Sequence, residues 1–158
     1  MGEIIIENDR RFLELSVHSY QGPEIIEAVK RGIEARVTFK IQVVREGILD
    51  LIYTRVLHSS TLKRSLRYDY WNRSYVITED GKKTQYHNEK AMFAHLFRVS
   101  RLKVPGEPPG DGEYRIRARA ELKSVELYFP MNYIFKYIAG HWDFDTGWVK
   151  GPALPVPR

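Results

Sequence analysis

The amino-acid sequence predicts an α+β fold, in which a curved antiparallel sheet of about six to eight strands carries two helices on its apolar face. Three features indicate this class. Long segments alternate apolar and polar residues, as strands with one buried face do, and only two segments show helical spacing of apolar side chains. The turn signals between strands are short, which favours antiparallel pairing because parallel strands need long crossover connections.

The N-terminal part of the chain predicts two strands, a helix and a long third strand. Ile4 to Glu7 forms a short strand, and Asn8-Asp9 makes a turn because both residues tolerate the left-handed conformation. Phe12 to His18 alternates as a second strand. Gly22-Pro23 stops it and opens a helix, since proline is tolerated in the first helical turn. Ala35 to Val44 then predicts a long strand with one apolar and one polar face.

The middle of the chain predicts further strands joined by tight turns. Glu46-Gly47 is the turn into a strand from Ile48 to Leu57, and His58 to Arg64 is a polar connection to the next strand. Trp71-Asn72-Arg73 predicts a hairpin loop. Asp80-Gly81 is a strong hairpin signal because this pair readily adopts a type I′ turn.

A second helix and the longest strand follow. Asn88 is a good N-cap for a helix from about Glu89 to Arg101. A loop rich in glycine and proline at residues 105–112 leads to a strand from Glu113 to Phe129. The alternation in this strand slips near Ser124, which predicts a bulge or bend there.

The composition is that of a folded domain of ordinary size. The chain has 158 residues, of which 43% are hydrophobic and 28% charged, so wholesale disorder is not expected. We expect one domain over residues 1–150 and a Pro-rich C-terminal tail over residues 151–158. The absence of cysteine excludes disulfide scaffolds, thiol catalysis and Cys-ligated zinc.

The apolar runs are far shorter than the roughly 20 residues that a membrane-spanning helix needs. Peripheral contact with a membrane stays open. No secretion signal is recognisable, yet Met1-Gly2 leads directly into a strand. This start fits an exported protein whose leader has been removed, and it equally fits a native start in the cytoplasm.

One face of the predicted sheet is basic. In the longest strand, alternate residues are cationic, and side chains on one face of a strand recur about every 6.6 Å. The candidate anion-binding or partner-binding residues are Arg36, Lys40, Arg67, Arg115, Arg117, Arg119 and Lys123. The carboxylates expected on the same surface are Glu14, Asp69 and Glu121. The surface could meet phosphates or anionic head groups, or it could be a solvated face whose charge prevents edge-to-edge pairing.

Aromatic residues form a second group of candidates, as pocket or surface residues. They are Tyr70, Trp71, Tyr133, Trp142 and Trp148. Aromatic rings near a hairpin could stack on bases or sugars, whereas packing in the core or across strands is the ordinary role of such residues.

The sequence predicts no catalytic residues, no cofactor and no metal. The five histidines do not show HxH, HxxxH or HExxH spacing. His141, Asp143 and Asp145 lie close together in the sequence and could support acid–base chemistry or hold a cation. As alternating strand residues, the two carboxylates would share one face while Trp142 and Phe144 pack on the other.

The order of these segments resembles a bacterial family known as domain of unknown function 4390. The resemblance rests on motifs spread over nearly the whole chain: Glu27-Ala28 with Gly32, Leu66-Arg67-Tyr68-Asp69, Glu89-Lys90-Ala91, the strand Tyr114 to Leu122 and the closing Trp142 to Trp148. Proteins of this family generally begin with a secretion signal, and no catalytic residues are assigned to them. The resemblance therefore implies an exported bacterial protein, periplasmic or in the cell envelope, and supplies no activity.

Three hypotheses about function follow. The first is a non-enzymatic module of the cell envelope that binds a protein or an anionic envelope component. The second is a nucleic-acid-binding domain that uses the basic sheet face. The third is an enzyme built around His141, Asp143 and Asp145, which requires these side chains to converge in a cleft.

Overall fold

The computed structural model describes residues 2–9, 12–46, 55–103, 113–125 and 142–154. In chain order, the elements are β1 (Glu3–Asp9), β2 (Phe12–His18), α1 (Gly22–Lys30), β3 (Glu34–Glu46), β4 (Arg55–Asp69), β5 (Ser74–Glu79), β6 (Lys82–Tyr86), α2 (Glu89–Phe97), β7 (Arg98–Lys103), β8 (Glu113–Val125), β9 (Phe144–Asp145) and β10 (Val149–Leu154). Strands dominate and two helices interrupt them, which confirms the α+β class.

Most strands belong to one antiparallel sheet of seven strands. Its order is β10-β8-β3-β4-β5-β6, and the short β9 pairs with β8. The register between β3 and β8 runs without interruption from Glu34 opposite Val125 to Glu46 opposite Glu113. On its other side, β3 pairs with β4 from Ala35 opposite Leu66 and shifts register between Val43 and Val44. β3 is therefore hydrogen-bonded on both sides over almost its whole length.

A second, three-stranded sheet has the order β1-β2-β7 and covers part of the large one. β1 lies against β10 and β8, and the side chain of Ile6 lies beside Gly151. A Cβ atom at Gly151 would lie only 3.0 Å from Ile6 Cγ2, so the absence of a side chain there lets the two sheets meet closely. The sequence predicted β1 and β2 but not β7, and it did not show that these strands leave the main sheet.

The two helices cover the other part of the large sheet. α1 packs on β3 and β4, and α2 packs on β5, β6, β2 and β7. Pro23 lies in the first turn of α1, and Gly32 follows the helix with φ +92°, a conformation that glycine adopts at little cost. Asn88 caps α2 by accepting a hydrogen bond from the backbone N–H of Ala91 at 3.0 Å. These start signals of both helices are confirmed.

The hydrophobic core lies between the large sheet and this cover. Apolar residues of β2, β3 and β8 alternate into it, as the sequence predicted, and both helices add their apolar stripes. The largest fully buried side chains include Leu15, Phe39, Leu66, Ile77, Met92, Leu96, Tyr114 and Ile116. The hairpin turn at Asp80-Gly81 has φ of 47° and 79°, as the predicted type I′ turn requires.

The expectation that His58 to Arg64 forms a polar connection is wrong, because these residues belong to β4. The segment does not alternate clearly, yet it pairs with β3 residue by residue. Arg64 even faces the core. Its buried guanidinium donates to the carboxylate of Glu79 and to the backbone oxygens of His95 and Arg98, the last at 2.8 Å. A buried arginine is tolerated here because several acceptors surround it.

The expectation that the second helix reaches Arg101 is also wrong, since α2 ends at Phe97 and β7 begins at Arg98. Leu96 and Val99 have helical spacing, which extended the prediction too far. Val99 is in fact a strand residue paired with Leu15. Arg64 binds carbonyl oxygens at the end of α2, as cationic side chains do at helix C-termini.

Two further expectations at strand ends differ from the structure. The register of β8 is regular through Ser124, so the bulge expected there does not occur within the described residues. Residues 151–154, expected in the Pro-rich tail, form part of β10. Pro152 falls within a register shift between Lys150 and Ala153, where its missing N–H breaks no ladder bond. The predicted segments at 47–54, 105–112 and 126–141 lie outside the described residues.

Replacing Leu66 by alanine tests the inward face of β4. Leu66 is fully buried opposite Ala35, so Leu66→Ala should lower the free energy of unfolding by about 2–5 kcal/mol through lost burial and the cavity left behind. Urea denaturation measures this change. Thr61→Ala, at an exposed position of the same strand, should change it by less than about 0.5 kcal/mol. Similar losses of unfolding free energy in both variants would contradict the assignment of Leu66 to the buried face of β4 and Thr61 to its exposed face.

Candidate functional site

The face of the large sheet that points away from the core is here called the basic face. Arg36, Thr38, Lys40 and Gln42 of β3 lie on it, and they stand opposite Lys123, Glu121, Arg119 and Arg117 of β8. Arg115 and Arg67 complete the set that the sequence predicted. Residues directly opposite each other in an antiparallel pair share one face, so the structure brings all these cations to one surface.

Glu34, at the start of β3, is the first acidic centre of the basic face. It is only 2% exposed and accepts hydrogen bonds from Arg36 at 3.1 Å and from Arg67. The sequence did not suggest this role, because Glu34 precedes the strand predicted from Ala35. A buried carboxylate needs partners, and two guanidinium groups supply them, one from β3 itself and one from the neighbouring β4.

Glu121, in β8, is the second acidic centre. It lies between Lys40 at 3.2 Å, Arg119 at 3.1 Å and Lys123 at 3.6 Å. Its side chain is 11% exposed, whereas that of Lys123 is 70% exposed. One carboxylate thus holds three cations that converge from β3 and β8.

Arg119 also pairs with Asp145 of β9. Its Nε donates to Asp145 Oδ1 at 2.8 Å, and a terminal nitrogen donates to the other carboxylate oxygen. This bidentate geometry is the strongest form of an arginine–carboxylate contact. The hydrogen bond from Arg119 holds the pKa of the Asp145 carboxyl below its usual value, and the same bond raises the pKa of Arg119.

Arg117 is held differently, by a neutral side chain and an aromatic ring. Its Nε donates to Gln42 Oε1 at 2.8 Å, and its guanidinium lies 4.6 Å from the centre of the Trp148 ring. Arg115 makes a long contact of 3.4 Å to the backbone oxygen of Gly151. A cation over an indole ring is a favourable arrangement that keeps the positive charge in place without neutralising it.

The basic face keeps an excess of positive charge because its carboxylates are shared. Three carboxylates, Glu34, Glu121 and Asp145, pair with five cations of this face. By register, Lys63 of β4, opposite Thr38, and Lys150 of β10, opposite Arg117, extend the surface. The sequence had not assigned these two lysines to it, because pairing partners cannot be read from alternation alone.

Two expected carboxylates do not neutralise the basic face. Glu14 belongs to the small sheet, where it pairs with Arg98. Asp69 accepts hydrogen bonds from the backbone of Trp71 and Asn72 and from the Asn72 side chain, so it holds the hairpin turn. These bonds, above all those from Asn72, lower the pKa of Asp69. The expectation that Glu14 shares this surface is therefore wrong, and the carboxylate of Asp69 is occupied by the hairpin turn.

The aromatic candidates differ in their exposure and in their contacts. Trp71 is 96% exposed at the tip of the β4–β5 hairpin, and the neighbouring Tyr70 is exposed with its hydroxyl donating to the Lys30 backbone oxygen. Trp148 lies beside Arg117. Trp142 is only 3% exposed and belongs to the core, so its assignment as a surface or pocket residue is corrected. Tyr133 lies outside the described residues.

The proposed acid–base group is not assembled by the described residues. Asp143 accepts hydrogen bonds from the backbone N–H of Ser124 at 2.7 Å and from its hydroxyl, while Asp145 is bound to Arg119. The two carboxylates are thus committed to structural contacts. His141 lies outside the described residues. Within the described part of the chain, no group of three or more histidine, aspartate or glutamate residues could hold a metal ion.

The fold and the basic face together define an α+β protein with a charged, partly ion-paired sheet surface. A family model described as domain of unknown function (DUF4390) matches residues 3–151, and the chain belongs to this family. No curated protein and no solved structure matches the chain. None of the described helices is long and apolar enough to span a membrane.

Removing the charge of Glu34 should destabilise the protein. Glu34→Gln keeps the size of the side chain but leaves Arg36 and Arg67 without their shared carboxylate, so the free energy of unfolding should fall by about 1–3 kcal/mol. Glu27→Gln is the matched control, because Glu27 pairs with Arg31 on the exposed surface of α1 and should cost less than about 0.5 kcal/mol. Equal effects in urea denaturation would contradict the buried role of Glu34.

The ion pair between Arg119 and Asp145 predicts a pH dependence. The pKa of Asp145 is lower in the folded state than in the unfolded chain, so its ionisation favours folding above its unfolded value, and this contribution is lost as pH falls through the folded value. Carboxyl chemical shifts followed by NMR during acid titration should report the lowered pKa. In Arg119→Gln the pKa should rise; an unchanged value would exclude Arg119 as its cause.

Proposed function

We propose that this protein is a non-enzymatic binding module of the bacterial cell envelope that holds an anionic partner on its basic face. The observation that carries the proposal is the sharing of carboxylates, in which Glu121 alone holds three cations and Glu34 two. The partner chemistry is an acidic protein surface or the anionic head groups of lipids. The envelope location rests on the exported character that the family resemblance implies.

The ion pairs would hold the cations of the basic face in position for binding without neutralising all of their charge. Arg67 and Lys123 are 61% and 70% exposed, so their charged ends stay accessible while the carboxylates restrict where they lie. Lysine and arginine side chains lose considerable freedom when they bind a ligand, and cations that are already positioned lose less. A multiply charged partner could also contact several of these cations at once, which a single free ion cannot do.

Protection of sheet edges does not explain the positions of these charges. Charged residues that prevent aggregation belong on edge strands, and β6, an edge of the large sheet, does carry Lys82 and Lys83. The arginines and lysines of the basic face lie mainly on β3 and β8, which are paired on both sides. A row of cations on interior strands contributes nothing to edge protection, which favours a role in binding.

A nucleic acid is the second candidate partner, because its phosphates would meet the same cations. The stacking of Arg117 on Trp148 leaves that indole partly covered, and the fully exposed Trp71 belongs to a hairpin tip away from the arginine rows of β8. In the parts of the chain that the structure describes, the arginines of β8 therefore have no freely exposed aromatic ring beside them on which a base could stack. We favour the envelope partner and treat nucleic-acid binding as an outcome of the test.

Reversing one charge of the basic face should weaken binding to anionic vesicles. Lys123→Glu changes the local charge by two, and each charge near an anionic surface is worth about 1 kcal/mol, so the affinity for phosphatidylglycerol vesicles should fall about tenfold or more in cosedimentation at low salt. Lys82→Glu is the control variant. It makes the same change of charge in β6, at a residue whose side chain points to the opposite face of the sheet from that of Lys83. The logarithm of its affinity for the vesicles should fall by less than half as much as that of Lys123→Glu.

Three results would count against this function. Equal losses for Lys123→Glu and Lys82→Glu would show general charge attraction without a site. Tighter, salt-dependent binding to a single-stranded oligonucleotide than to vesicles or to a poly-glutamate peptide would favour the nucleic-acid alternative. Recovery of the native protein in the cytosolic fraction of its host would refute the envelope location.

A further inference from the structure

A cavity of about 420 Å³ lies between β2 and α2, on the side of the small sheet, and is here called the α2–β2 pocket. β2 contributes Ser16 and His18 from its polar face, and α2 contributes Lys90, Phe93 and Phe97. The pocket exists because the pairing of β2 with β7 begins only at Ser16 opposite Arg98. Beyond this pair α2 lies beside β2, and a helix and a strand leave more space than two paired strands.

Aromatic rings form the apolar part of the pocket. The centre of the Tyr20 ring lies 4.2 Å from that of Phe97 and 5.1 Å from that of Phe93, and the two phenylalanine rings are stacked at 5.8 Å. Phe97 is buried in the core, so this wall is fixed from behind. Such a wall suits an alkyl chain or an aromatic ring better than a polar ligand.

The polar groups of the pocket favour a negative charge. Lys90 is exposed in the first turn of α2, and no described carboxylate lies within ion-pair distance of it. Glu14 and Arg98 also line the pocket, and they pair with each other, so their charges offset. The hydroxyl of Tyr20 has no hydrogen-bond partner among the described residues, and burial raises its pKa, so it stays a neutral donor. One cation and one free hydroxyl are what a single carboxylate needs.

We propose that the α2–β2 pocket binds a small amphipathic carboxylate, whose apolar body packs on Tyr20, Phe93 and Phe97 and whose charge meets Lys90. The volume lies within the range of about 300–1,000 Å³ that small-molecule sites occupy. The pocket shares no residue with the basic face, so this site is separate from the one proposed for an anionic partner. A medium-chain fatty acid has the required chemistry.

Calorimetric titration with decanoate below its micelle concentration tests the proposal on the full chain. Decanoate should bind at least tenfold more tightly than decyltrimethylammonium, which has a similar chain and the opposite charge. NMR should show contacts between decanoate protons and the rings of Tyr20 and Phe93. No measurable binding of decanoate at millimolar concentration, or equal affinity for the cation, would overturn the proposal.

Paired variants of α2 locate the site. Ala94→Trp places an indole in the pocket and should abolish decanoate binding, because Ala94 lines the cavity and is exposed enough to accept a larger side chain. Ala91→Trp, exposed on the same helix and outside the lining, should leave the affinity within about twofold. Lys90→Gln should weaken decanoate binding about twofold to fivefold through loss of an exposed ion pair. Unchanged binding in Ala94→Trp would refute the pocket, and unchanged binding in Lys90→Gln would refute the carboxylate contact.

Discussion

The position of β3 in the middle of the large sheet is the constraint on which the rest of the structure depends. Its residues alternate between Val37, Phe39 and Ile41 in the core and Arg36 and Lys40 on the other side. Because the side-chain period of a strand is two, a slip by one residue would exchange these two sets. The pairing with β8 extends without a break over the whole of β3, so the core and the basic face are fixed by the same register.

That register also explains why the basic face, which points away from the core, contains buried carboxylates. Glu34 and Glu121 lie among cations whose long apolar stems cover them, and this removes the two acids from water. Desolvating a carboxylate is costly, and only close cations offset the cost. The cations are therefore needed for stability as well as for any partner, so a functional test has to separate the two roles. Lys123 allows this because it is mostly exposed and its contact with Glu121 is the longest of the three.

Alternation and turn chemistry predicted most strands, because each depends on residues close together in the sequence. Asp80-Gly81 and Asn88 fix their turn and cap by their own conformations and hydrogen bonds. The errors occur where a distant partner decides the structure. The polar residues before Leu66 form a strand because β3 pairs with them, and α2 ends early because β2 takes Val99 as a partner.

The same distinction applies to the candidate site. The alternation in β8 predicted that Arg115, Arg117 and Arg119 share a face, and the register adds Arg36 and Lys40 to it. No local pattern shows which carboxylate each cation meets, since Glu34 lies 33 residues from Arg67 and Glu121 lies 81 residues from Lys40. The register, and not the composition, decides which charged residues lie together on this surface. Because β3 and β8 are interior strands whose carboxylates are shared by several cations, the positive charge that remains is a property of the fold itself. It persists as long as the sheet does, and the anionic partner proposed above would meet it in every folded molecule.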